Sequence, residues 1–327
     1  MLTKQEIRKL VKINFGNACE IGRIEELKGG MFNAIYKISR VKEMDQIVLK
    51  VGAAPKTPLL TYEKDIMRTE VECYRLIKEH TNVPVPAVLA YDFSRKHIGS
   101  SYFFMTALKG TALSKISGKM DQNSLNHLKA ELAQYLEQIH RIKGTYYGYF
   151  SEDIKQQYST WKAAFFHMFG QLLLDARGHR VSIPYGRIKR ALADNKKYLE
   201  ELSEPSLVEY DCHYGNVFVI KTENGYKIEG IVDFERAFWG DPAADFPAAF
   251  VFVDDIRKEH VFLESYLKAV HKSAFTQADT KRYQLYRLYL AVIMAAETFR
   301  YGWIYSRLQG MWAKAQIKKC LKKLERG

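Results

Sequence analysis

The chain has 327 residues, 47% of them hydrophobic and 27% charged, which is the balance of a folded globular protein and excludes a disordered or fibrous one. The formal charge of +13 suits anionic partners such as nucleotide phosphates, but no interleaved arginine and aromatic motif points to nucleic acid. No stretch reaches the roughly 18 apolar residues of a membrane span, the first residues lack a secretory leader, and Cys19, Cys73, Cys212 and Cys320 show no disulfide or C-x-x-C spacing, so a reduced, cytoplasmic protein without a membrane partner is expected.

Residues 1–18 read as a short amphipathic helix. From Cys19 the pattern is extended. Ile21, Ile24 and Leu27 lead into the glycine turn 28–33, and Ala34 to Ile38 return, making a hairpin. Gln46 to Val51 is a third strand, Tyr62 to His80 a helix stopped by the prolines at 84 and 86, and 88–91 and 101–105 two more strands. These elements predict a five-stranded antiparallel unit with one helix. Beyond Leu108 the spacing becomes helical: 121–142, 152–176 and 184–202, then a short hairpin, then helix after helix from Ala243 to Lys323. An α+β chain with an N-terminal lobe over 1–107 and a helical lobe over 108–327 is the expectation.

The chemistry-bearing stretch is Leu207 to Asn216, answered by Ile231-Val232-Asp233-Phe234-Glu235. Asp211 and Asn216 lie on a loop entering the apolar strand Val217 to Ile220, and a second apolar strand ends on Asp233. Phosphoryl transfer asks a protein mainly for positioning and charge neutralisation. A carboxylate at Asp211 could accept a hydroxyl proton. Asn216 and Asp233 offer the neutral and charged oxygens that magnesium prefers.

The stretch 207–216 resembles the catalytic loop of the aminoglycoside phosphotransferase family, usually written His-Gly-Asp-x-His-x-x-Asn. Gly230 to Glu235 followed by Gly240-Asp241-Pro242-Ala243-Ala244-Asp245 resembles that family's metal-binding aspartate and its downstream Gly-Asp-Pro-x-x-Asp. The resemblance covers about Glu20 to Phe246. It implies a two-lobed, protein-kinase-like fold and an ATP- or GTP-dependent, magnesium-requiring O-phosphotransferase acting on a small-molecule hydroxyl. By the likeness Asp211 is the base and Asn216 and Asp233 are the magnesium ligands. Gly29, Gly30 and Asn33 belong to the nucleotide loop, Lys50 reaches the phosphates with Glu70 as its partner, and the backbone of Met105 to Leu108 meets adenine. Glu70 and Glu72 lie about 200° apart on a helix, so only one can face Lys50. Glu209, His213, Asp241 and Asp245 would support the loop.

One departure stands out: Glu209-Tyr210 replace the family's His-Gly. His140 reads as packed or capping, and the aromatic residues of the C-terminal half, Trp303 and Tyr305 among them, as mostly core. Asp254, Asp255, Glu259 and Glu264 could form an acidic ring for a polycationic acceptor. The other acceptors in view are choline, homoserine or a sugar. A nucleotide-binding protein without turnover is the alternative from another class.

Overall fold

The computed structural model describes residues 2–27, 33–55, 57–223 and 225–326. Helix α1 (Lys4–Phe15) opens on a Thr3–Glu6 capping box. Strands β1 (Ile21–Leu27), β2 (Ala34–Arg40) and β3 (Asp45–Val51) follow, then helix α2 (Ile66–His80), β4 (Val88–Asp92) and β5 (Tyr102–Thr106). They form one antiparallel sheet in the order β1-β2-β3-β5-β4. Its two faces are both covered. Tyr36, Ile38, Ile47, Leu49 and Phe104 pack with Ile7, Leu10 and Val11 of α1. Val48, Phe103 and Met105 join Val71, Tyr74 and Ile77 of α2. Since side chains alternate along a strand, Lys50 shares the α2 face with Val48.

The rest is mostly helical, threaded by short strands. In chain order come β6 (Thr111–Ala112), α3 (Leu113–Ile116), α4 (Gln122–His140), β7 (Gly148–Tyr149), α5 (Trp161–Gly178), α6 (Tyr185–Asp194) and β8 (Ser206–Val208). Then follow β9 (Val217–Thr222), β10 (Gly225–Ile231), β11 (Phe238–Gly240), α7 (Asp245–Ala249), α8 (His260–Ala269), α9 (Gln277–Ala296) and α10 (Trp303–Glu325). Among the described residues, no helix is long and apolar enough to cross a membrane.

The α+β architecture expected above is present, with local corrections. The segment before α5 is not helical. Tyr147 and Tyr158 exchange backbone hydrogen bonds of 2.8 and 3.0 Å, and Asp153 caps only a short turn. The helix expected over 184–202 stops at Asp194 and continues as a single turn, Lys196–Leu199. Trp303 and Tyr305 are not core. They sit on the first turn of α10, 73% and 51% exposed, ahead of the buried positions of that helix, which begin at Gln309.

Candidate active site

Lys50 is 3% exposed, and its ammonium reaches three carboxylates. Nζ is 2.6 Å from Glu70 Oε2, 2.5 Å from Asp233 Oδ1 and 3.0 Å from Glu235 Oε2. Glu70, and not Glu72, meets the lysine. Glu70 and Tyr74 share the inner face of α2, one turn apart, whereas Glu72 lines a cleft on the outer side of the helix. The Tyr74 hydroxyl donates to Glu70 Oε1 at 2.9 Å and accepts the Asp233 N–H at 3.1 Å, which ties α2 to the Asp233 turn. Asp233 holds a left-handed backbone (φ 75°), turning the chain sharply away from β10.

These charges shape one another. Burial works against the Lys50 ammonium, but Asp233, Glu235 and Glu70 outweigh it and hold the group above its ordinary range. Burial pushes Glu70 up to about 8, against the pull of Lys50. Asp233, also penalised by burial, ends below the usual carboxylate range because Lys50 sits on it. The oxygen atoms of Glu70, Asp233 and Glu235 lie within 4.8 Å of one another, around a position that a cation already occupies in the form of the lysine ammonium.

The second half of the site is the loop after β8. Asp245 accepts from the backbone N–H of Glu209 at 3.1 Å and of Tyr210 at 2.5 Å. Asp245 is itself braced by His140 Nε2 at 2.8 Å, whose Nδ1 lies 2.7 Å from the Tyr266 hydroxyl. Asp241 caps the turn at Ala243 and holds the Tyr286 hydroxyl at 2.6 Å and Arg282 at 3.0 Å. With the loop fixed in this way, Tyr210 takes φ +60°, the left-handed conformation that glycine adopts freely. Its ring is buried, and its hydroxyl donates to the Tyr286 carbonyl at 3.0 Å. A tyrosine therefore stands here in a conformation that glycine would adopt at less cost.

Glu209 is wholly buried, and among the described residues the one side-chain hydrogen-bond partner of its carboxyl is the weakly donating Cys212 thiol. Burial, and then Asp245, push its carboxyl well above the ordinary range. His213 Nδ1 accepts the Gly215 N–H at 2.9 Å and so folds the loop on itself. Asn216 donates its amide to the Asp211 carbonyl at 3.0 Å, and its own carbonyl accepts the Val232 N–H at 3.0 Å. Asn216 thereby links Asp211 to the residue before Asp233, although two strands separate Asn216 from Asp233 in sequence.

Burial pushes Asp211 up to about 8, opposed by Arg236, whose Nε lies 3.7 Å away. The residues 233–235 and Arg236 share one short turn. Arg236 in turn pairs with Glu297 at 2.7 Å, and Glu297 also takes the Tyr62 hydroxyl at 2.9 Å. Sequence reasoning missed Arg236 and Glu297. The available signals were a charged pair directly after Asp233-Phe234 and one glutamate at the end of the most apolar helix.

Other expected residues fall as follows. Gly29 and Gly30 lie outside the described residues. Asn33 is buried, with its amide nitrogen 2.5 Å from Glu235 Oε2. Met105 sits in the sheet opposite Val48, and the Ala107 N–H is already donated to the Gln46 carbonyl at 3.1 Å. The proposed acidic ring is largely neutralised: Asp254 pairs with Arg287 and Lys319 at 3.3 and 3.2 Å, Asp255 with Arg257 at 2.5 Å, and Glu259 with Lys129 at 2.5 Å.

A profile of the phosphotransferase enzyme family matches residues 23–286. Among solved structures, a candidate aminoglycoside phosphotransferase from Ralstonia eutropha superposes with a TM-score of 0.68 at 14% identity, covering 100% of this chain and 99% of that one. A thermostable mutant of aminoglycoside phosphotransferase APH(4)-Ia, in ternary complex with AMP-PNP and hygromycin B, gives 0.64 at 17% identity over 98% and 99% of the two chains. ADP-bound APH(2'')-Ib gives 0.60 at 16% identity over 98% and 99%. At these identities the likeness is one of fold.

Proposed function

The chain belongs to the phosphotransferase enzyme family, and on that premise we propose that it moves the γ-phosphoryl group of ATP or GTP to a hydroxyl of a small molecule. The observation that carries this reading is the convergence of Lys50, Glu70 and Asp233 with a backbone-linked Asp211 and Asn216. In it Asp211 accepts the acceptor's hydroxyl proton as that oxygen bonds to the γ-phosphorus and the bond to the β-phosphate oxygen breaks. Lys50, held by Glu70, faces the phosphates. Gly29, Gly30 and Asn33 border them, and the linker with Met105 and Ala107 borders the base. Because the Ala107 N–H is committed to Gln46, any bond from that residue to the base would use its carbonyl.

The donor set at Asn216 and Asp233 is all oxygen and includes a carboxylate held ionised, which fits a hard divalent cation. Magnesium held there would neutralise charge on the phosphates. Glu209, His213, Asp241 and Asp245 keep the loop in shape. AMP-PNP and ADP in the neighbouring structures support the nucleotide side of the proposal.

For the acceptor, an aminoglycoside is one candidate, suggested by neighbours named for it. A neutral or anionic metabolite alcohol is favoured by a specific observation: Asp254, Asp255 and Glu259 are each already paired with a basic side chain. The experiment is a panel of hydroxylated antibiotics and metabolites with ATP or GTP and magnesium, run on the wild type and on Asp211→Asn. Phosphorylated product from the wild type and a loss of about 10²-fold or more in the variant are expected. Equal rates would sink the assignment of Asp211.

A further inference from the structure

Glu235 is one more carboxylate than Lys50 needs, and it has a second contact. Its Oε2 accepts from Lys50 Nζ at 3.0 Å and from Asn33 Nδ2 at 2.5 Å. Asn33 directly precedes β2, and it lies 202 residues from Glu235 in sequence. Both residues are 8% exposed. The other end of the Asn33 amide, Oδ1, is buried with no hydrogen-bond partner among the described residues. The donor end of the amide meets the carboxylate that also holds Lys50.

We propose that Glu235 is a positioning residue which, through Asn33, joins the start of β2 to Lys50, so that the strand end and the ammonium are set as one unit for the nucleotide phosphates. The inference rests on the phosphotransferase reading of this site. Lys50 has three N–H donors, and Glu70, Asp233 and Glu235 take one each. A phosphate must displace at least one of them. Asp233, which is 35% exposed, is the one free to turn to a metal, while buried Glu70 and Glu235 stay in place. Glu235 thus keeps its hold on both Lys50 and Asn33 when the site fills.

The test is a double-mutant cycle on the full chain with Asn33→Ala, Glu235→Gln and both together, titrating ADP and a non-hydrolysable ATP analogue by calorimetry with magnesium. Each single variant should weaken nucleotide binding by about tenfold, and the double variant should be no worse than the weaker single one. The acceptor KM should stay within about twofold. Asn33→Asp, which sets two carboxylates in contact, should weaken binding more than Asn33→Ala, and adding Glu235→Gln should restore part of the loss. Additive losses, or unchanged nucleotide affinity in both single variants, would overturn the link. If the wild type binds no nucleotide, the reading of the whole site falls, whereas normal wild-type binding with additive variants removes only this inference.

Discussion

The Arg236 guanidinium lies 3.7 Å from the Asp211 carboxylate and is the positive charge that restrains the effect of burial on it. Without it the carboxyl, already pushed up to about 8, would rise further. A protonated Asp211 cannot accept a proton, so turnover should climb with pH through this range. Arg236→Gln is expected to move the ascending limb to higher pH and to lower the rate at pH 7 by roughly 10- to 100-fold. A pH–rate profile of both proteins checks this, and superimposable profiles would refute it.

Glu209 gives a stability prediction of opposite sense. Its folded carboxyl is held well above the ordinary value by burial. A carboxyl whose folded pKa is raised binds its proton more tightly in the native than in the unfolded chain. The stability it supports is complete below about pH 4.5 and is lost as pH rises towards the folded value. Glu209→Gln removes the titration. The variant should match the wild type near pH 4.5 and exceed it by about 1–3 kcal/mol at pH 8, read from urea unfolding at the two pH values. A constant difference across pH would contradict the assignment.

Tyr210 sets a backbone penalty against a buried ring. Tyr210→Gly relieves the left-handed strain of about 1 kcal/mol but deletes a ring packed on Phe238 and Tyr289. Loss of such a ring costs about 3–5 kcal/mol, so the glycine typical of the family should destabilise this chain. Tyr210→Phe, which loses only the bond to the Tyr286 carbonyl, should cost about 1 kcal/mol. Thermal unfolding ranks the three proteins, and a glycine variant more stable than wild type would show that the ring is dispensable.

Asp245 collects two backbone N–H groups and the His140 ring in one buried carboxylate. Asp245→Asn leaves at least one of these donors without its charged acceptor and should cost about 2–4 kcal/mol. Asp245→Ala should cost more. Denaturant midpoints measure both, and losses under 1 kcal/mol would mean the loop is held by other contacts.

The sequence alone determined the regular elements whose periodicity is long enough to read. Five strands and helix α2 declare themselves because β3 carries the near-continuous apolar run of a strand covered on both faces, and the 3.6-residue repeat in α2 runs over several turns. The candidates Asp211, Asn216 and Asp233 stood out because the loop, the strands around it and the Gly-Asp-Pro segment form a local pattern. The strands β6, β7 and β11, two or three residues each, carry no readable period and exist only through their pairing partners.

Only the tertiary structure decided which charges meet. His140 and Asp245 are 105 residues apart, Arg236 and Glu297 61, and Asn33 and Glu235 202. No local signal encodes such pairs, because the helix and strand periods that make a sequence readable fade within a few turns. Choice between neighbours was settled in the same way. Glu70 faces Lys50 and Glu72 does not, since packing of α2 on the sheet fixes which side of the helix turns inward. At Tyr210 the backbone conformation followed from Asp245 gripping the loop, against what the residue type alone would favour, because two buried hydrogen bonds outweigh a single residue's preference.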